Sequence, residues 1–355
     1  MHNILNKFAV KGEPASVDRF GYGHINQTYI ATCNSGAVYI LQRINKNIFK
    51  DPVSLMENIE GVTSYLRKHS TAAREVLTLV PTVDGMPYYI DNEGEYWRLY
   101  DFVTDSVCLQ RAESVSDFYE SAVTFGRFQS MLADYPAHTL HETIPHFHDT
   151  VSRFADLIGS IENDVSHRAA GVSAEIEFAL SYKEFASTLV DLSHSGSLPL
   201  RVTHNDTKLN NVLFDIHTRK GLCVIDLDTV MPGLAVNDFG DSIRFGACTA
   251  AEDEKDLSKV SLDLDLYKAY LQGFLSECGS SLTEKEIEML PVAAKMMTLE
   301  CGVRFLTDYL DGDNYFKTTY PEHNLIRCRT QFALVSDMDR KWQQMQNILS
   351  EVIAV

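Results

Sequence analysis

The sequence predicts a mixed α+β protein with two lobes, a small lobe built on an antiparallel sheet and a larger, mainly helical lobe. Three observations predict this class. A chain of 355 residues is longer than one compact core usually fills. Short β-branched and aromatic runs dominate the first hundred residues, and long stretches with apolar residues at helical spacing follow. We therefore expect a sheet-rich lobe at 1–103 and a helical lobe at 104–355.

The N-terminal elements are strands interrupted by one helix. Residues 15–32 predict two strands around a glycine turn, and AVYILQRI at 37–44 is typical of a buried strand. Apolar residues at helical spacing after Pro52 predict a helix over 52–68. The runs VPTVDGMPYYI and EYWRLYDFV, separated by DNEG, predict a hairpin.

The later elements are helices with one interruption. The interruption is at 200–230, where LRVTH and GLCVIDLDTV bracket polar loops and predict an internal β-hairpin. Apolar periodicity predicts the helices at 114–134, 147–164, 173–192, 260–277, 284–310 and 330–353.

Charge and composition exclude several classes of protein. Lys and Arg number 31 against 49 Asp and Glu, which argues against a broad nucleic-acid or anionic-membrane surface because phosphate binding needs basic footprints. The seven cysteines include no C-x-x-C pair and predict reduced thiols. No stretch approaches the roughly 18 apolar residues of a membrane span, and none predicts a signal peptide. We expect a soluble cytoplasmic protein that is a monomer or weak dimer.

The strongest functional signal is the octet HNDTKLNN at 204–211, which lies between two strand-like runs. Phosphoryl transfer needs a carboxylate that accepts the proton of the attacking hydroxyl, and oxygen ligands for magnesium. Asp206 and Asn211 have the spacing of the catalytic loop of protein kinases. Lys208 can place a cation on the transferring phosphate. In isolation the octet is equally compatible with ordinary turn residues.

A second motif, VIDLD at 224–228, makes the chemical interpretation stronger. Asp226 follows a short apolar strand, where a kinase keeps a metal-binding aspartate because magnesium prefers hard oxygen ligands. Asp228 is a further candidate, since it would share the direction of Asp226 on an alternating strand. The two motifs in this order, after a sheet-rich lobe, predict a site for phosphoryl transfer.

The run HNDTKLNNVLFD followed by VIDLDTVMPGLAVNDFGD resembles the aminoglycoside phosphotransferase and choline kinase superfamily. More narrowly, THNDTKLNN with IDLDTVMPG is similar to the bacterial N-acetylhexosamine 1-kinase branch, and the resemblance covers nearly the whole chain. It implies a protein-kinase-like fold with ATP in the cleft and Mg²⁺ as cofactor. It also implies Asp206 as catalytic base, Asn211 and Asp226 as magnesium ligands, and Asp238 as a structural acid.

The resemblance requires the N-terminal lobe to cover the nucleotide. Gly21 and Gly23, in GYGHIN, fit a turn whose backbone can approach phosphates closely. A plain hairpin turn is the alternative, because Asn26 stands where a glycine-rich loop has its last glycine.

A kinase also needs a cation for the α- and β-phosphates, paired to a helix glutamate. Arg43 on the strand and Glu57 on the following helix are the candidates. A slip of one residue would turn Arg43 outward and bring Gln42 in. The segment 97–103 would be the hinge beside adenine, with Tyr100 and Phe102 as its candidate contacts, although these aromatics can equally be core residues.

The acceptor pocket should come from the helical lobe. Glu300, Arg304 and Asp308 are spaced by four and share one face of a helix that is apolar nearly all round. We expect Glu300 and Arg304 to bind a sugar acceptor, and a surface ladder of ion pairs is an equally weighted alternative. Arg244 and Phe245 are further candidates to line this cleft.

Two other features carry less weight. Four histidines fall within 138–148, but their irregular spacing argues against a zinc site. The acidic run AEDEKD at 251–256 is expected to be a solvated loop.

The function predicted from these residues is an ATP- and Mg²⁺-dependent kinase for the anomeric hydroxyl of N-acetylglucosamine or N-acetylgalactosamine. An aminoglycoside, choline or another amino alcohol is the alternative acceptor, because the same chemistry serves those substrates. A nucleotide-binding pseudokinase is a weaker alternative, since neither the base nor a metal ligand is missing. A small-molecule sugar and ATP are thus the expected partners, with no nucleic acid and no membrane.

Overall fold

A computed structural model describes residues 1–21, 25–70 and 72–354 and confirms the mixed α+β class. The N-terminal part is an antiparallel five-stranded sheet in the order β1-β2-β3-β5-β4. Its elements are α1 (His2–Leu5), β1 (Pro14–Arg19), β2 (Gln27–Cys33), β3 (Val38–Arg43), α2 (Pro52–His69), β4 (Tyr89–Ile90) and β5 (Tyr96–Asp101).

Strand register gives this sheet two different faces. Leu41 lies opposite Leu99, and both are buried in an outer core with residues that follow α1. Gln42 lies opposite Arg98 on the other face, which is turned toward the helical lobe. Because side chains alternate along a strand, each residue of β3 belongs to one face only.

Helix α2 begins where its sequence provides a cap. The Asp51 side chain accepts hydrogen bonds from the backbone N–H groups of Val53 and Ser54, and Pro52 occupies the first turn. Buried Asn58 then ties the helix to the rest of the molecule, because its Nδ2 donates to the carbonyl of Val230 at 3.0 Å.

The second part of the chain is mainly helical, with two small sheets that carry the polar loops. The sheets have the strand orders β6-β8-β9 and β10-β7. The elements are β6 (Ser106–Cys108), α3 (Val115–Met131), α4 (Thr150–Asn163), α5 (Ser173–Ser181), α6 (Lys183–Ala186), α7 (Thr188–His194), β7 (Arg201–Thr203), β8 (Val212–Asp215), β9 (Gly221–Val224), β10 (Met231–Gly233), α8 (Ala235–Gly246), α9 (Leu264–Cys278), α10 (Glu284–Leu310), α11 (His323–Arg340) and α12 (Trp342–Ile353).

Three predicted elements differ from the structure. The helix expected at 173–192 is broken into α5, α6 and α7, and the one expected at 330–353 is the end of α11 followed by α12. Apolar periodicity continues across such short breaks, so it does not locate them. The hairpin expected before β5 is reduced to the two residues of β4, because Thr82 and Leu79 bridge to Phe8 and Tyr100 instead. The division of the chain at residue 103 stays a prediction.

None of the helices in the described parts of the chain combines the length and apolar character needed to cross a bilayer.

Candidate active site

A hairpin brings Asn211 and Asp226 together. Asn211 directly precedes β8, and Asp226 follows β9 after one residue, while Val212 lies opposite Val224 in the ladder. The N–H of Ile225 donates to the carbonyl of Asn211 at 2.9 Å, which closes this end of the hairpin. Antiparallel pairing therefore places two residues that are distant in sequence side by side.

The loop that carries Asp206 is anchored by two carboxylates on α8. Asp238 accepts hydrogen bonds from the backbone N–H groups of His204, at 2.9 Å, and Asn205, at 2.7 Å. Asp241 accepts one from the N–H of Thr207 at 3.1 Å. Asn205 has a φ of 64°, a left-handed conformation that asparagine tolerates better than most residues. These bonds fix the backbone on both sides of Asp206.

Asp206 lies between Lys208 and Asn211. Its Oδ1 is 2.7 Å from Nζ of Lys208, and its Oδ2 accepts a hydrogen bond from Nδ2 of Asn211 at 3.0 Å. Burial acts to raise the pKa of Asp206, but the charge and hydrogen bond of Lys208 outweigh it and hold the pKa below its ordinary value. The Asp206 side chain keeps 28% of its surface exposed, so an ionised carboxylate is open to a ligand.

Asp226 lies in an environment that favours a bound cation. Burial and the neighbouring charges of Asp228 and Asp206 raise the pKa of Asp226 to about 7. A divalent cation would relieve this repulsion. The Asp226 carboxylate and the amide oxygen of Asn211 are the hard oxygen donors that magnesium prefers, so these residues fit Mg²⁺.

The structure corrects the predicted pairing of Arg43 with Glu57. Arg43 lies on the outer face of the sheet, 3.9 Å from Glu95, and Glu57 instead meets His141 at 2.7 Å. The register explains this, because Gln42 and not Arg43 shares the inner face with Arg98. The sequence allowed this slip of one residue as its alternative.

Arg98 is a buried cation on the inner face of the sheet. Only 1% of its surface is exposed, and its Nη1 forms an ion pair with Asp228. Its Nε donates to Oε1 of Gln42 at 2.9 Å. Asn26, beyond the glycine turn, donates from Nδ2 to the same Asp228 carboxylate. Arg98 and Asn26 thus both contact Asp228, and Gln42 supports Arg98, which makes Asp228 a link between the lobes rather than an open ligand.

The remaining residues predicted on the nucleotide side lie at different positions along the sheet. Gly21 has a φ of 76°, in the region that favours glycine, whereas Gly23 lies outside the described residues. Tyr100 is buried, with the Arg98 guanidinium 5.4 Å from the centre of its ring. Phe102 donates its N–H to the carbonyl of Val38 at 3.1 Å, so that N–H is not free to bind adenine.

The predicted acceptor residue Glu300 is buried beside the catalytic loop. Its Oε1 lies 2.8 Å from Nδ1 of His148, and the hydroxyl of Thr150 donates to its other oxygen at 3.4 Å. The second ring nitrogen of His148 lies 3.1 Å from the carbonyl of Asn205. His148 therefore connects α10 with the loop that carries Asp206.

Arg304 lies one turn further along α10 and is surrounded by aromatic rings. Its guanidinium carbon is 5.1 Å from the ring centre of Phe147, 5.8 Å from that of Tyr315 and 5.5 Å from that of Phe316. No carboxylate of the described residues lies within ion-pair distance of it. The surface ladder of ion pairs that was the alternative for this face does not form.

Asp308 organises the loop that supplies two of these rings. It is buried, and its Oδ1 accepts the N–H groups of Asn314, at 2.8 Å, and Tyr315, at 2.7 Å. Its Oδ2 accepts the N–H of Phe316 at 2.9 Å. Glu300, Arg304 and Asp308 therefore share one face of α10, where Glu300 and Asp308 are buried and Arg304 is half-buried, and each has different partners.

Arg244 is not free for a substrate. It donates twice to Oδ1 of Asp241, at 2.9 and 2.8 Å, and once to Glu252 at 3.1 Å. The run 251–256 is a loop, as expected, but Glu252 within it is only partly exposed and also lies 3.7 Å from Arg327. Phe245 is half-buried one turn after Asp241, on the face of α8 that holds the catalytic loop.

Sequence reasoning missed two residues of the site. Arg98 could have been found, because a charged residue in the middle of an apolar strand is buried only when it is paired. His148 was considered only as one member of a histidine cluster. Nothing in the sequence pairs it with Glu300, because the contact depends on how the segment before α4 packs against α10.

A sheet lobe and a helical lobe, with an anchored carboxylate, a lysine and two oxygen donors grouped together, are what a phosphotransferase requires. The model of the phosphotransferase enzyme family, APH, matches residues 16–271, and the chain belongs to this family.

Solved structures share the fold at low sequence identity. An amicoumacin kinase in complex with AMP-PNP, Ca²⁺ and its ligand is 13% identical with a TM-score of 0.64, covering 95% of this chain and 91% of its own. A microcompartment-associated aminopropanol kinase is 16% identical with a TM-score of 0.60, covering 97% of each chain. An aminoglycoside phosphotransferase from Alicyclobacillus acidocaldarius is 12% identical with a TM-score of 0.64, covering 100% of this chain and 97% of its own.

Proposed function

We propose that this protein is an ATP- and Mg²⁺-dependent kinase that phosphorylates the anomeric hydroxyl of an N-acetylhexosamine. Family membership supports phosphoryl transfer. The complexes of similar structures with AMP-PNP and Ca²⁺, or with ADP, support a nucleotide and a divalent cation. The resemblance of the catalytic and metal motifs to the hexosamine branch supports the sugar acceptor.

The choice of acceptor rests on the charges around Glu300 and Arg304, the region in which we propose that the acceptor binds. Four carboxylates near this region already have a cationic partner in the protein, and Asp308 is occupied by the backbone N–H groups of 314–316. These pairs are Asp206 with Lys208, Asp241 and Glu252 with Arg244, and Glu300 with His148. Arg304 adds a positive charge that no described carboxylate offsets. A cationic acceptor would need an unpaired carboxylate, so this region favours a neutral one.

An N-acetylhexosamine has groups that match these side chains. The Arg304 guanidinium offers donors for an acetamido carbonyl or for hydroxyl oxygens. The rings of Phe147 and Tyr315 provide apolar surfaces against which the faces of a sugar can pack. Tyr315 is 59% exposed, so its ring is available to a ligand.

The proposed reaction is centred on Asp206. Its ionised carboxylate accepts the proton of the 1-hydroxyl while that oxygen bonds to the γ-phosphorus of ATP, and the bond from the γ-phosphorus to the bridging oxygen of ADP breaks. Lys208, held 2.7 Å from Asp206, provides positive charge beside the transferring group. Magnesium on Asn211 and Asp226 would supply further charge neutralisation to the phosphates.

An acceptor panel tests this function. ATP consumption is measured with N-acetylglucosamine, N-acetylgalactosamine, glucose, choline, ethanolamine and kanamycin, and the position of the new phosphate is determined by NMR. We expect turnover of at least one N-acetylhexosamine, with the phosphate on the anomeric oxygen. Turnover of choline, ethanolamine or kanamycin without turnover of a hexosamine would favour the amino-alcohol and aminoglycoside alternative and contradict the proposal. Several similar structures are kinases of such acceptors.

A further inference from the structure

His148 lies between helix α10 and the loop that carries Asp206. Its side chain is only 11% exposed. Nδ1 is 2.8 Å from Oε1 of Glu300 on α10, and Nε2 is 3.1 Å from the backbone carbonyl oxygen of Asn205. Asn205 directly precedes Asp206, so one imidazole ring spans the two parts of the site.

The two partners of this ring determine its protonation state. A carboxylate and a backbone carbonyl can only accept hydrogen bonds, so each contact requires an N–H on the ring. A neutral imidazole has one N–H, whereas the imidazolium has two. Both contacts can therefore be hydrogen bonds at the same time only while His148 is protonated.

The charges around His148 favour the imidazolium. Burial acts to lower the pKa of His148, but the Glu300 carboxylate outweighs it and holds the pKa above its ordinary value. Asp241 on α8 acts in the same direction, and Arg304 on α10 opposes it. The catalytic loop faces the ring with the neutral carbonyl of Asn205, and the preceding Phe147 contributes an uncharged ring.

We infer that His148 is a positioning residue whose imidazolium joins Glu300 to the loop that carries Asp206, so that the acceptor site is correctly assembled only while both ring nitrogens are protonated. This inference rests on the proposed placement of the acceptor beside Glu300 and Asp206. It does not depend on which acceptor binds.

The inference predicts that the KM for the acceptor depends on pH and increases on the alkaline side, which we call the alkaline limb. A histidine whose pKa is raised is protonated at low pH and loses its proton as the pH rises through that pKa. One of the two contacts is then lost, and either Glu300 or the loop is no longer held. The KM for the acceptor should rise with pH, while the KM for ATP should stay unchanged.

The first test needs no substrate. The pKa of His148 is measured in the full-length protein from its imidazole ¹⁵N chemical shifts, with the resonances assigned by comparison with His148→Gln. We expect a pKa above the ordinary value of about 6.5 and a lower pKa in Glu300→Gln. A pKa at or below that value, or one that Glu300→Gln leaves unchanged, would overturn the inference.

The second test uses the acceptor that the panel identifies. His148→Gln should raise the acceptor KM about tenfold at neutral pH and remove the alkaline limb, with the KM for ATP within twofold of the wild type. His146→Gln is the matched control, because His146 is in the same segment but 65% exposed and paired only with Asp149. An alkaline limb that persists in His148→Gln, with its folding confirmed by thermal unfolding, refutes the inference. Failure of every hexosamine in the panel would refute the proposed function and leave the NMR result to decide on His148.

Discussion

Arg98 of the N-terminal sheet forms a buried ion pair with Asp228, which follows the strand that leads to Asp226. Gln42 and Asn26 complete the hydrogen bonding of this pair. The two lobes are therefore joined by a fully hydrogen-bonded charge pair directly beside the proposed metal site. Arg98 is therefore one of the residues that hold the sheet against the proposed metal loop.

Removing Arg98 should destabilise the protein strongly. Arg98→Met leaves the Asp228 charge buried and unpaired, which costs about 3–5 kcal/mol of the free energy of unfolding. The double variant Arg98→Met with Asp228→Asn should lose less than the sum of the two single changes, because neither side is left with an unpaired charge. Urea unfolding monitored by circular dichroism measures these differences.

Arg43→Met is the matched control for this prediction. Arg43 is on the strand beside Arg98 but is half-buried on the outer face, with Glu95 at 3.9 Å. Such an ion pair contributes about 0–1 kcal/mol. Equal losses from Arg43→Met and Arg98→Met would show that Arg98 has no special role in joining the lobes.

Arg304→Met should weaken acceptor binding with little effect on ATP. Methionine keeps much of the packing between the three rings but removes the guanidinium donors. Loss of a charged hydrogen bond to the acceptor should raise its KM about tenfold or more. Steady-state kinetics with the acceptor varied at saturating ATP measure this change. Arg340→Met, at an exposed position on α11, should leave both KM values within twofold, and an unchanged acceptor KM in Arg304→Met would remove Arg304 from the acceptor site.

Asp308→Asn should loosen the loop that carries Tyr315 and Phe316. The amide replaces one accepting oxygen by an NH₂ group, so at least one backbone N–H of the loop loses its acceptor, at a cost of about 1–3 kcal/mol. Hydrogen exchange of the amides at 314–316 should become faster, and the acceptor KM should rise. Asp311→Asn is the control on the same loop, since the side chain of Asp311 accepts no hydrogen bond from a described residue. Unchanged exchange in Asp308→Asn would contradict this role.

The sequence was sufficient to group the candidate residues that are close together along the chain. Asp206, Lys208 and Asn211 lie within six residues of each other, and a single hairpin places Asp226 beside them, so motif and pairing rules locate the centre of the site. The antiparallel sheet and most of the helices follow from period-two and period-3.6 patterns of apolar residues.

The sequence was insufficient where function depends on strand register or on contacts between lobes. Arg43 and Gln42 are neighbours, and only the pairing with β5 determines which of them faces the cleft. Arg98 has its partner on the other lobe, and His148 has partners on α10 and on the catalytic loop. A local pattern can indicate that a residue such as Arg98 is buried and paired, but it does not identify a partner that is distant along the chain.

The central claim is that Asp206, held beside Lys208 and Asn211, is the base in phosphoryl transfer to a small-molecule hydroxyl. The most direct measurement compares wild type and Asp206→Asn in two assays, the binding of an ATP analogue by calorimetry and the turnover of the acceptor at saturating substrates. We predict that the affinity for the nucleotide stays within a few-fold and that kcat falls by about 10²–10⁴-fold. A variant that folds, binds nucleotide and turns over the acceptor at the wild-type rate would contradict the account.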